Sequence, residues 1–399
     1  MSVWDRVVGQ PDLVAGLRHT VAAAHAEDTG QGGDTRREMT HAWLITGPPG
    51  SGRSVLAEAF AAALQCRSGG CGVCEDCRQV LADSHPSTRI VRADRLSYGV
   101  DDAKSLIAWS AVRPFGDHRR IIVLQDADRL TETAANTLLK VLEEPPPRVV
   151  WLLCTPSTED VLPTIRSRTR WVNLATPSVS DVAAFLVSQV GADPAMAAYA
   201  ARASQGHIGR AKALATEDDV RRHRSGVLAV TRRVSTLGGC FAAAADLVDS
   251  AKQVAESHAA SRDAAEEEEL LAGYGAGAEG VSRGKVEALA RGALRELRDA
   301  QKKRRTRVVR DELDRDLVDL LGYYRDVLAV QVGAGITLVN EEDRPRIEAL
   351  AAASTPELSV RRMRAVDEAR LALASNVAPL VALEAMAVTL SGKLEPAVG

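Results

Sequence analysis

Apolar residues along the chain gather into three short, nearly continuous runs, and after each the period of the pattern changes. Residues 43–46, within Ala-Trp-Leu-Ile-Thr, lead straight into a glycine-rich segment, and the alanine-rich pattern over 55–64 then reads as a helix. Residues 121–125 (Ile-Ile-Val-Leu-Gln) and 149–154 (Val-Val-Trp-Leu-Leu-Cys) have the length and β-branched content of buried strands, with a helical pattern over 131–143 between them. Strand, helix and strand at this spacing predict a parallel sheet. The run Glu143-Glu144-Pro145-Pro146-Pro147 ends the intervening helix, because proline brings no N–H and disfavours α geometry in the residue before it.

Past residue 175 the pattern changes again. Ala-Thr-Pro-Ser-Val-Ser over 175–180 reads as a linker with Ser180 as a helix cap, followed by a small helical domain. From about residue 220 the apolar spacing is almost wholly helical, broken by an expected flexible joint at 273–284. These breaks divide the chain at 1–175, 176–219 and 220–399, and a length of 399 residues against about 150 per domain suggests two or three domains. Hydrophobic residues make up 46% of the chain but aromatics only 4%, so alanine, leucine and valine fill the core. That balance favours helix packing over a β-sandwich, and a helix-rich α/β fold is expected.

A net charge of −3 offers no global attraction to a polyanion, so contact with nucleic acid would rest on local patches. Lys302, Lys303, Arg304, Arg305, Arg307 and Arg310 form one such patch, read either as phosphate contacts or as a solvated helix face; an acidic run lies at 266–269. The sequence carries no basic leader followed by an apolar run and no apolar stretch of about 20 residues, so a soluble cytoplasmic protein without a membrane partner is expected.

Candidate chemistry begins at the glycine segment. Gly47, Pro48, Pro49, Gly50, Ser51, Gly52, Arg53 and Ser54 follow a phosphate-binding loop everywhere except where a lysine is expected. In such loops backbone N–H groups wrap the phosphates, the lysine reaches the β and γ phosphates, and a hydroxyl holds magnesium. Arg53 is planar and bulkier than that lysine, so the loop either binds ATP weakly or survives as a backbone turn alone. After the strand at 121–124 come Gln125, Asp126, Ala127 and Asp128, where ATPases of this kind carry adjacent acids for magnesium and water. Glutamine cannot replace the first, and Asp126 is shorter than the usual glutamate base, so poor hydrolysis is expected. Thr155, just after the third run, either orients a γ-phosphate or caps a strand end.

Cys66, Cys71, Cys74 and Cys77 crowd into a glycine-rich turn containing Gly69, Gly70 and Gly72, while Cys154 and Cys240 stand alone. Four soft thiolates at this spacing suit a structural zinc ion; free thiols are the other reading. Arg166-Ser167-Arg168-Thr169-Arg170 follows Leu162-Pro163-Thr164-Ile165. These arginines either pair on the surface or present one guanidinium to a phosphate on a neighbouring subunit. Gly206-His207-Ile208-Gly209-Arg210 similarly holds Arg210 over a nucleotide or at an exposed helix start.

Taken together, Val8-Gly9-Gln10, the glycine loop, the cysteine cluster, Ala-Ala-Asn-Thr-Leu-Leu-Lys-Val-Leu-Glu-Glu-Pro-Pro at 134–146 and Leu-Pro-Thr-Ile-Arg-Ser-Arg at 162–168 resemble the bacterial clamp-loader AAA+ subunits of DNA polymerase III, most of all the delta-prime type. The likeness is dense over 1–175, moderate to about 217 and architectural beyond. It implies a RecA-like P-loop sheet with a zinc insert at 66–77, a small helical lid and an all-α collar. It also implies assembly into a heteropentamer with gamma/tau motor subunits and delta, which loads a sliding clamp on primed DNA. By the same resemblance Arg168 is the arginine finger reaching a neighbour's ATP, Ser167 positions its segment, and Thr169 replaces the motif's cysteine. Gln125 falls on the family's magnesium aspartate, Asp126 on its catalytic glutamate, and Gly209 rather than Arg210 on its second-domain sensor. With Arg53, these departures imply the non-motor subunit without ATPase activity of its own, and any polymerase or nucleotidyltransferase role by complex membership only. An ATP-hydrolysing gamma/tau-type motor and an AAA+-derived scaffold or nucleic-acid adaptor are the alternatives.

Overall fold

The three apolar runs become three neighbouring strands of one parallel sheet. The computed structural model describes residues 2–28, 39–92, 97–114, 116, 118–276, 282–375 and 377–392, in two compact units at 1–216 and 217–399. In the first unit the order is α1 (Pro11–Asp28), β1 (Ala42–Thr46), α2 (Arg53–Gln65), α3 (Glu75–Leu81), β2 (Thr88–Val91), α4 (Val100–Ala111), β3 (Arg120–Leu124), α5 (Glu132–Glu143), β4 (Val149–Thr155), α6 (Pro163–Arg166) and β5 (Arg170–Asn173). The strands lie in the order β2-β3-β4-β1-β5, all parallel, which gives the parallel α/β sheet that the sequence predicts.

Strands β1, β3 and β4 are buried along their whole length, and their alternate residues serve two cores. Trp43, Ile45, Ile121, Val123 and Leu152 pack with Leu17 and Val21 of α1 and Phe60 of α2, where the Trp43 and Phe60 rings meet edge to face at 5.2 Å. Leu44, Ile122, Leu124, Trp151 and Leu153 face the other way, onto Leu106 of α4 and Leu138 and Leu142 of α5. Each such side chain contributes about 1.5–3 kcal/mol by leaving water. Helix α2 is rich in buried alanines, which lets its backbone sit close against the sheet. Helix α5 starts on Thr131, whose hydroxyl accepts the Ala134 N–H, and ends before the prolines as its sequence predicts.

Strands β2 and β5 escape a reading by apolar runs because they lie at the sheet edges. Thr-Arg-Ile-Val in β2 is half buried, and Arg-Trp-Val-Asn in β5 is largely exposed, so neither needs a continuous apolar stretch. The first unit continues through α7 (Val179–Phe185), a π-helical turn at Leu186–Val190, α8 (Pro194–Ala203) and α9 (Ile208–Thr216). Ser178, rather than Ser180, caps α7 by accepting the Asp181 N–H. Gln10 clamps the linker ahead of it, donating from Nε2 to the Ala175 carbonyl at 2.7 Å and accepting the Ala175 N–H.

The second unit is helical: α10 (Asp218–Arg233), α11 (Leu237–Gly273), α12 (Arg283–Leu289), α13 (Arg291–Gln331), α14 (Arg344–Ala352), α15 (Pro356–Ala374) and α16 (Pro379–Leu390). Leu313, Leu317, Leu320 and Tyr324 of α13 pack with Ala244 and Leu247 of α11, Val366 of α15, and Leu383 and Leu390 of α16. The acidic and basic runs pair with each other. Arg304 binds Asp263 and Glu266, while Arg298 forks onto Glu267 at 2.9 and 3.0 Å. The expected joint at 273–284 falls partly on 277–281, outside the described residues.

A buried polar chain holds α10 to α13 and to the segment after it. Arg224 donates to Asp319 Oδ1 at 3.2 Å and to Asn340 Oδ1 at 2.6 Å, and Asn340 Nδ2 donates to Asp326. Removing one member strands the others in the interior. We therefore expect Arg224→Ala to lower stability by about 3–5 kcal/mol in urea unfolding, with a loss under about 1 kcal/mol counting against this network.

The Arg304 hydrogen bonds hold Glu266 down to about 2. Since this lies below an unfolded carboxylate's value of about 4.3, the pair stabilises fully above that pH and its contribution is lost as pH falls through about 2. The urea midpoints of wild type and Glu266→Gln should converge over that interval.

Candidate functional site

Strand β1 pairs with β4 on one side and β5 on the other, so Thr46 lies between Thr155 and Asn173 and the glycine loop leaves the sheet beside both strand ends. The Gly47 N–H donates to the Pro156 carbonyl at 3.1 Å, and the Ser51 N–H closes a turn onto Pro48. Gly50 adopts φ 81°, and a Cβ there would lie 2.2 Å from Cγ of His207. Only glycine fits this approach. The Ile208 N–H also donates to the Gly50 carbonyl at 3.0 Å, so the first turn of α9 rests directly on the loop. Ser51 is 2% exposed, lies against Gly47, and its hydroxyl has no hydrogen-bond partner among the described residues.

Arg53 opens α2 and folds back, donating from Nη1 to the Gly47 carbonyl within its own loop. Burial lowers its pKa, while Asp128 and Asp126 favour its charged form. Asp126 sits at φ 56°, ahead of a 3-10 turn, 3.8 Å from Arg129. Asp128 is the acid that reading by position missed: burial raises its pKa, and its Oδ1 has no hydrogen-bond partner among the described residues. The available signal was a second acid two places after Asp126. Gln125 turns to α2 and donates to Glu58 Oε1 at 3.3 Å. Thr155 is fully buried, with its hydroxyl donating to the Ser157 carbonyl at 3.1 Å, which commits it to the strand-end turn. Ser54 follows Arg53 in the first turn of α2.

The four clustered cysteines converge. Their sulfurs lie within 4.8 Å of one another, with Cys66 Sγ 3.7 Å from Cys71 and 3.6 Å from Cys74. Backbone N–H groups point at them: Cys71 N–H to Cys66 Sγ, Cys74 N–H to Cys71 Sγ, Gly72 N–H to Cys77 Sγ and Cys77 N–H to Cys74 Sγ, all at 3.3–3.5 Å. Such donors favour thiolate, and those from Val73 and Cys74 bring Cys71 down to about 6, whereas burial pushes Cys77 up. Four sulfurs with inward N–H dipoles fit a tetrahedral zinc ion. The turn is tied to the chain's start, since Gly70 accepts from the Val3 N–H and the Ser2 hydroxyl, and Gly69 accepts from Trp4 Nε1.

Arg168 lies just past α6. Its Nε and Nη2 both meet Glu143 Oε1, and Nη1 donates to the Thr164 carbonyl at 2.8 Å and to Ser167 Oγ at 3.1 Å. The guanidinium stays about one-third exposed, beside an open hollow lined by His41, Leu142 and Ser167. Ser167 donates in turn to Thr164, so it acts as a brace for Arg168. Arg168 and the glycine loop are separate features of the unit. Among residues that sequence reasoning missed, His207 stands out: its Nδ1 accepts the Arg210 N–H and caps α9 over the loop. Its signal was Gly-His-Ile-Gly itself, just ahead of Arg210.

Residues 33–178 match the family described as "DNA polymerase III, delta subunit". Over 168 residues the chain is 35% identical to DNA polymerase III subunit gamma/tau of Mycobacterium tuberculosis, covering 41% of this chain and 27% of that one. It is 34% identical to subunit delta' of Pseudomonas aeruginosa, covering 33% and 42%, and 33% identical to subunit delta' of Escherichia coli, covering 45% and 55%. The chain thus spans from about a quarter to just over half of these relatives' lengths. Among the described residues no helix is long and apolar enough to cross a membrane.

The thiol geometry generates a direct test. Modifying the cysteines with a mercurial should release about one zinc per chain, and Cys74→Ser with Cys77→Ser should abolish that release. A folded protein that releases none would rule the zinc ion out.

Proposed function

We propose that this chain, whose N-terminal region belongs to the clamp-loader AAA+ subunits of DNA polymerase III, is a non-motor subunit of the delta-prime type. The observation that carries this reading is Arg53. A motor's loop cation must reach the β and γ phosphates, yet this guanidinium bonds the loop's own Gly47 carbonyl, with α9 resting on Gly50 beside it. Gln125, engaged with Glu58, supplies no carboxylate for magnesium, and Asp126 is short for a base. The glycine backbone and the Ser51 hydroxyl, unpartnered among the described residues, offer groups to a phosphate, so residual nucleotide would be held by Gly47, Pro48, Pro49, Gly50, Ser51, Gly52, Arg53 and Ser54 without efficient turnover.

In this reading the chain's contribution to catalysis is Arg168. When a neighbouring motor subunit presents ATP, Arg168 exchanges Glu143 for the γ-phosphate oxygens, with Ser167 and the Thr164 carbonyl keeping hold of Nη1. A planar cation placed there offsets charge that grows in the transition state. The zinc-bound turn of Cys66, Cys71, Cys74 and Cys77 would stiffen the sheet domain, and the second unit would serve as the collar. Partners would be gamma/tau-type motors, delta, the sliding clamp and primed DNA, in the cytoplasm. The pairing of Arg304 and Arg298 with α11 makes the nucleic-acid adaptor reading the weaker one.

The relatives include gamma/tau subunits, so a motor reading remains the rival. Hydrolysis by the isolated chain separates the two and is expected to be negligible. In a reconstituted complex of motors, delta, clamp and primed DNA, Arg168→Ala should cut ATP hydrolysis by about tenfold or more with assembly intact. Unchanged hydrolysis would remove Arg168 from the mechanism, and brisk turnover by the isolated chain would favour the motor.

A further inference from the structure

Two helices of the second unit bring a histidine and two carboxylates to one point that none of the roles above uses. Glu312 and Asp316 lie one turn apart on α13, so both project from the same face, and His223 reaches them from α10. His223 Nε2 is 2.7 Å from Asp316 Oδ1 and 3.7 Å from Glu312 Oε1, and the three ligand atoms lie within 4.8 Å of one another. Asp316 is 1% exposed, yet its Oδ2 has no hydrogen-bond partner among the described residues. A buried carboxylate oxygen left in that state is costly. The surrounding charges are otherwise engaged, with Arg315 on Glu312 Oε2 and Arg224 on Asp319.

The second ring nitrogen decides what His223 can offer. Its Nδ1 is 2.9 Å from Ser250 Oγ on α11. With Nδ1–H donated to that hydroxyl, the Nε2 lone pair faces the two carboxylates, the arrangement found when a histidine binds a metal. The cluster of Asp76, His85 and His118 makes the contrast. Its ligand atoms are equally close, but the Ser87 N–H donates to His85 Nδ1 at 3.1 Å. The proton of neutral His85 then sits on Nε2, which has no lone pair left for an ion.

We propose that His223, Glu312 and Asp316 form a divalent-cation site of the zinc class that joins α10 to α13, with Ser250 orienting the imidazole. One imidazole with two carboxylates suits zinc better than magnesium or calcium, which prefer all-oxygen shells. Two acceptor atoms cannot rest 2.7 Å apart without something positive between them. Without metal an Nε2 proton bridges the pair; on binding, the ion takes its place and the ring carries its proton at Nδ1, toward Ser250. Bonds of about 2.0–2.1 Å at tetrahedral angles set ligand atoms about 3.3 Å apart, so His223 and Asp316 need open by only about half an ångström.

The test uses the full chain equilibrated with zinc chloride near neutral pH and dialysed. About two zinc ions per chain are expected in the wild type, about one in His223→Ala, and about one in the Cys74→Ser, Cys77→Ser variant, which separates this site from the thiol cluster. Glu312→Gln should also lose the second ion, and Ser250→Ala should weaken it by about 10–100-fold while leaving the ligands in place. These two variants decide the matter if His223→Ala does not fold. A wild type that binds only the thiol-held ion, or a second ion bound undiminished by Glu312→Gln and Ser250→Ala, would overturn the proposal.

Discussion

Because β1 is hydrogen-bonded on both sides, its C-terminal end cannot move independently of the ends of β4 and β5, and the glycine loop and the Thr155 turn are arranged around that fixed point. The glycine loop leaves Thr46 and the Thr155 turn leaves β4, while the Arg168 segment enters β5 at the opposite end of the sheet, where Arg170 pairs with Trp43. Burying β1, β3 and β4 on both faces makes this frame rigid, since a one-residue slip would exchange the two apolar cores. A loop on such a frame keeps its backbone shape whatever side chain stands at its cation position.

That rigidity accounts for a loop that is intact in backbone but altered in side chains. Gly50 remains in a conformation and at a distance that only glycine permits, because α9 packs against it through His207 and Ile208. At the lysine position the arginine finds a carbonyl within the loop. Arg168 is controlled differently. It is braced by Ser167 and Thr164 and charge-balanced by Glu143, an exposed pair that contributes little to stability. The same contrast separates the second unit's polar groups, where the Arg304 and Arg298 pairs lie toward the surface and the Arg224 chain is buried.

The strands β1, β3 and β4, the ends of α5 and the grouping of four cysteines were legible from residue order alone, because each depends on neighbours in the chain: an apolar run, a capping threonine, prolines, a short ligand spacing. The edge strands β2 and β5 were not, since their pairing needs no apolar run, and Ser178 took the capping role assigned to Ser180 through a register shift that local pattern does not resolve.

Sequence by itself determined the parallel sheet, the loop type and its missing lysine, and the resemblance to clamp-loader subunits, all consequences of contiguous residues. Tertiary structure alone decided that Arg53 turns onto Gly47, that His207 rests on Gly50, that Asp128 joins Asp126 beside Arg53, and that Glu143 holds Arg168. It likewise decided the meeting of His223 with Glu312 and Asp316 across about ninety residues of chain. Those contacts join segments distant in sequence, and their hydrogen-bond geometry and burial exist only once the helices and strands have packed.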